Sequence, residues 1–108
     1  MPRIKSFRDW MLRNFTKDEL AEIARYGADA GWRGLTYTRD IAKLFDTYGD
    51  EIWDLVYEDA RDFGARNVLE FLAQLPRAVM AETLDTFKVL LVWYAAERIA
   101  QEVAGRLR

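Results

Sequence analysis

Proline occurs only at positions 2 and 76, and between and after them apolar residues recur at the three- and four-residue spacing of helices rather than alternating as in strands. A chain so rarely interrupted can run as long helices. The expected fold class is all-α: a compact bundle of about six helices, five short ones around a long buried C-terminal helix. With 108 residues, 51% of them apolar, one domain over 1–108 with one core is expected, and no covalent staple is needed.

The helix boundaries are written in capping signals. Ser6 with Asp9 starts a short helix over 7–14 that turns Phe7, Trp10 and Met11 inward. Thr16 and Glu19 form a capping box, Phe15 can staple onto Leu20, and Ile23 and Ala24 continue the stripe until Gly27 ends it in a left-handed conformation. Residues 27–34, GADAGWRG, lack a period and read as a loop carrying Trp32, with a short extended piece over 35–38. A helix over 37–48 aligns Tyr37, Ile41, Leu44, Phe45 and Tyr48, and Gly49 closes it. Asp50 then caps another helix, whose inner stripe is Ile52, Trp53, Val56, Tyr57 and Ala60, ending at Gly64. Asn67 and Glu70 cap a short helix with Val68, Phe71, Leu72 and Leu75 inside, and Pro76 stops it. From about 83 onward one helix is apolar around most of its circumference, with Leu84, Phe87, Leu91 and Tyr94 on one face and Val89, Val92, Trp93, Ala96 and Ile99 on another. Its apolar run, 89–96, is far below the ~20 residues that span a bilayer.

Composition removes several chemistries. Cys and His are both absent, which excludes thiol and imidazole nucleophile pairs, thiolate zinc sites and HExxH zinc sites. No DxDxDG calcium loop and no GxxxxGK[ST] phosphate loop occurs. No catalytic residue, metal site or cofactor is expected, and the start of the chain has no apolar segment suited to a secretory signal. Charge is unevenly spread: residues 1–38, 39–62 and 63–108 carry +2, −5 and +1. Within the acidic stretch Asp50, Asp54, Glu58 and Asp62 recur every four residues and form one ridge on a helix. That ridge is the solvated side of an amphipathic helix, a docking surface for a basic partner or a hard cation, or, as the least favoured reading, carboxylate machinery. Trp32 and Arg33 are residue types enriched at interface hot spots, although for Trp32 itself a tucked-in position closing the core is the favoured reading. Arg3, Lys5, Arg8, Arg13 and Lys17 make the N-terminus basic, but Asp9 and Asp18 dilute them, and nucleic-acid binding is the alternative rather than the preferred expectation. Lys88 in the apolar final helix is either a desolvated, reactive amine or a snorkelling lysine.

Taken together, the segments FRDWMLRNFTKDELAEIARYG, GLTY, DEIWDLVYEDA and LVWYAAE resemble a family of small uncharacterised proteins encoded by phages, prophages and other mobile elements. The resemblance covers nearly the whole chain, but its matching residues are caps and core positions, so it carries no active site with it. It implies a small accessory protein in the cytoplasm of a bacterial host, of the kind that blocks a defence system such as CRISPR by binding protein. The expectation is therefore a non-enzymatic protein-binding module whose partner is a bacterial host protein or defence complex. It would dock through Asp50, Asp54, Glu58, Asp62, Trp32 and Arg33, with no membrane role and with self-association left open.

Overall fold

Two helix starts follow from local hydrogen bonds at Ser6 and at Thr16. The computed structural model describes residues 6–28, 38–66, 68–72, 74 and 84–106. Five helices lie among them: α1 (Phe7–Asn14), α2 (Lys17–Tyr26), α3 (Thr38–Asp62), α4 (Val68–Leu72) and α5 (Leu84–Arg106). The described residues contain no strand, and the fold is all-α with a long C-terminal helix. None of these helices is long and apolar enough to cross a membrane.

At α1 the Asp9 N–H donates to Ser6 Oγ at 3.0 Å. At α2 the box is complete: Glu19 N–H donates to Thr16 Oγ1 at 3.1 Å and Thr16 N–H to Glu19 Oε1 at 2.8 Å. These bonds satisfy amides that a helix start leaves without intrahelical acceptors. Gly27 ends α2 at φ 104, ψ 163, a glycine conformation as expected, but extended in ψ rather than left-handed helical. At the end of α3, Gly64 has φ 83. There Ala65 N–H donates to Ala60 O and Gly64 N–H to Arg61 O, the paired bonds of a Schellman motif.

The two helices expected over 37–48 and from Asp50 meet where expected: α3 is two helical arms joined across a kink, with Tyr48 at non-helical φ −117, ψ 21. Gly49 is not at positive φ, so the chain bends there without reversing, and Asp50 lies within the second arm rather than capping a separate helix. Each arm of α3 is shorter than the 23-residue α5, as are α1, α2 and α4, so the expected arrangement of short helices with a long C-terminal one holds among the described residues. The carboxylate of Glu70 accepts from Arg66 N–H at 3.4 Å. Its expected capping partner Asn67, Leu75, the loop residues 29–34, the stop at Pro76 and residues 35–37 of the expected extended piece lie outside the described residues, while Thr38 is helical.

The chain divides into two compact units, Met1–Thr36 with Trp93–Arg108, and Tyr37–Val92. In the first, Phe7, Met11, Ile23, Ala95, Ala96 and Ala100 are fully buried, with Leu20, Phe15 and Ile99 nearly so. Trp10 stacks on Phe7 and meets Phe15 edge-on, both at 5.8 Å. Arg8 donates to Glu102 Oε2 at 2.6 Å, and Ala28 N–H to Glu97 Oε1 at 2.9 Å, which tie α1 and the end of α2 to α5. In the second unit the buried residues are Ile41, Ala42, Leu44, Ile52, Val56, Ala60, Phe71, Leu72 and the run 89–92. Here α4 packs on α3, and Lys88 donates to Asp46 Oδ1 at 2.7 Å. Leu84, expected inside, is exposed, because it is the first residue of α5 and precedes the run that is covered.

Candidate functional site

The second arm of α3, beyond Tyr48, is oriented by three side chains. Ile52, Val56 and Ala60 are at most 3% exposed and follow one another at four-residue steps, so they define the covered line of the helix. Each residue turns the helix by about 100°, which sends Asp54 and Glu58 to its far side. Asp50, Asp54, Glu58 and Asp62 are all exposed. The structure thus places the four expected carboxylates on one outward ridge.

Trp53 and Tyr57 depart from the expected inner stripe. They are 37% and 57% exposed. The stripe inferred from apolar character was wider than the covered one: Trp53 lies about 60° and Tyr57 about 100° from the centre of the Ile52–Val56–Ala60 line, and exposure rises in that order. A four-residue step that runs beside the acidic row and ends at Arg61 was the available signal, although apolar side chains at such an angle fit either side of a helix boundary.

Two neighbouring rows result. Trp53, Asp54, Tyr57, Glu58 and Arg61 line one shallow depression, and Trp53 also borders a second with Phe45, Asp46, Asp50 and Lys88. Lys88 is about one-fifth exposed and paired with Asp46, so its ammonium is held as a surface ion pair on a covered stem. Carboxylates beside the faces of Trp and Tyr are suited to cationic side chains, above all arginine: the planar fork pairs with carboxylate while the ring face attracts its charge. Among the described residues no group of three or more acidic side chains is disposed to hold a metal ion.

Trp32 and Arg33 lie outside the described residues, as do Arg3 and Lys5. Of the remaining basic N-terminal positions, Arg8 is engaged with Glu102. No curated protein and no solved structure matches the chain. A family model does, over residues 3–108, and it covers every helix described above. The chain belongs to the family described as Domain of unknown function (DUF7222).

Proposed function

We propose that the chain is a non-enzymatic protein-binding accessory protein of phage or mobile-element origin, acting in the bacterial cytoplasm as an inhibitor of a host defence system such as CRISPR. The observation that carries the binding reading is the outward face of α3, where Asp54 and Glu58 stand beside exposed Trp53 and Tyr57. Such a face complements a basic protein groove of the kind that holds phosphates, which is how a small acidic protein can displace nucleic acid from its binder. Trp32 and Arg33, also expected to dock, lie outside the described residues and add no support. The alternative, a nucleic-acid regulator using the basic N-terminus, is less favoured because the Arg8 guanidinium is occupied by Glu102.

The test is capture of a host protein on the immobilised chain. The variant D54K/E58K should lose the captured protein at unchanged melting temperature, since both side chains are exposed. Full retention by this folded variant removes α3 as the docking face.

A further inference from the structure

The first unit carries an open groove between α2 and α5 whose chemistry is the opposite of the α3 face. It is about 970 Å3, against about 450 Å3 for the depression beside Tyr57, a size suited to a helix surface rather than to one side chain. Four of its lining residues are small, Ala21 and Ala24 from α2 with Ala104 and Gly105 from α5, and Gln101 of α5 stands beside them. Side chains as short as these four let another helix approach closely, because the distance between helix axes is set by the residues at the contact. Lys17 and Arg25 also line it. Both are exposed, and with Ala21 and Ala24 they follow the i, i+4, i+7, i+8 pattern of one helix face. They stand eight residues apart, about 12 Å along the axis.

A complementary occupant is a helix with carboxylates at the same separation. The second arm of α3 has that spacing twice, in Asp50 with Glu58 and in Asp54 with Asp62. All four are exposed, and among the described residues none of them forms an ion pair. The chain as a whole is nearly neutral, at −2, with the deficit concentrated in 39–62 and a surplus in 1–38. Two copies therefore present opposite charges to each other once unlike surfaces are aligned.

We infer that the α2–α5 groove is a docking site for the acidic arm of α3 from a second copy of the chain. The inference rests on the reading of α3 as a docking face and names a partner for it. The contact joins unlike surfaces, Lys17 and Arg25 of one copy with a carboxylate pair of the next, and the small lining residues admit the arm between them. Self-association through this contact covers the same ridge that a host protein would use, so the two partners compete.

Sedimentation velocity of the full chain tests this at about 50 mM and about 0.5 M salt, since exposed charge pairs are strongly screened at the higher value. The wild type should exceed monomer mass at low salt and approach it at high salt. The variant K17E/R25E should associate about tenfold more weakly, and D54K/D62K less tightly than the wild type but with a smaller loss, since it keeps the Asp50–Glu58 pair while adding two charges that repel Lys17 and Arg25. Mixed in equal amounts they should form a heteromeric species, because each restores one contact of opposite sign. Melting temperatures check folding, and Lys17→Glu adds an acidic residue to the first turn of α2, where the helix dipole favours it. A wild type that stays monomeric, or a mixture of folded variants that does not associate, overturns the inference. If K17E/R25E associates like the wild type, the groove is not the site. Host-protein capture separates the two readings: with α3 correct and self-association absent, D54K/E58K still loses the host protein and only the present inference falls.

Discussion

Leu91 and Trp53 are both large apolar residues on long helices, yet they hold different kinds of position. Leu91 is fully buried, so truncation leaves a cavity as well as losing transfer energy, and Leu91→Ala should cost about 2–5 kcal/mol of unfolding free energy. Trp53 sits at the edge of the covered line, with its neighbour Tyr57 still more exposed. Trp53→Ala should shift the melting temperature much less than Leu91→Ala while weakening capture of a basic partner. Urea denaturation of the two variants beside the wild type measures the contrast, and a Trp53→Ala loss equal to that of Leu91→Ala would return Trp53 to the core. The Lys88–Asp46 pair is more modest: Asp46 is over half exposed, and a lone pair of this kind is worth about 0.2–1 kcal/mol.

Along α3 and its C-terminal turn, two glycines with similar sequence surroundings do unlike work. Gly49 follows the kink at Tyr48, and a methyl group placed there meets only the Phe45 ring at 3.6 Å, an ordinary contact. Because its φ is not positive, Gly49→Ala should raise stability by about 0.4–1 kcal/mol through the unfolded state. Gly64 has open space where a Cβ would stand but holds φ at 83, where a side chain costs about 1–2 kcal/mol. Gly64→Ala should therefore lower the urea midpoint, and the opposite signs of the two shifts are the check. The capping signals divide α3 where it does break, at Tyr48 beside Gly49. Whether a glycine after an apolar stripe reverses the chain or leaves a kink depends on its φ, and that choice depends on what packs around the turn.

At the scale of the whole molecule, α5 contributes residues to both units. Its stretch 89–100 is buried at eight of twelve positions, whereas α4 has five residues, too few to be stable without tertiary packing. Amide hydrogen exchange should accordingly be slowest in 89–100, where opening requires unfolding in both units, and fast in 68–72. Protection in α4 equal to that of α5 would contradict this. Charge is arranged at the same scale, with the acidic excess on α3 and Lys17 and Arg25 on one face of α2. A small net charge thus conceals surfaces of opposite sign.

The sequence alone determined the all-helical class, the caps at the starts of α1 and α2, and most of the buried apolar positions. The bonds of Ser6 and of Thr16 with Glu19 join residues three apart, and the apolar crowding of 89–100 requires cover whatever provides it. It also determined that the four carboxylates form a ridge, since a four-residue step on a helix is a geometric consequence. Tertiary packing decided which flank of α3 is covered, and hence that Trp53 and Tyr57 stand outside beside Asp54 and Glu58. It likewise brought Ala21 and Ala24 opposite Ala104 and Gly105 to leave a groove lined by Lys17 and Arg25. A helix period specifies angles around an axis; the direction in which that axis is turned depends on neighbours distant in the chain, and local spacing carries no record of them.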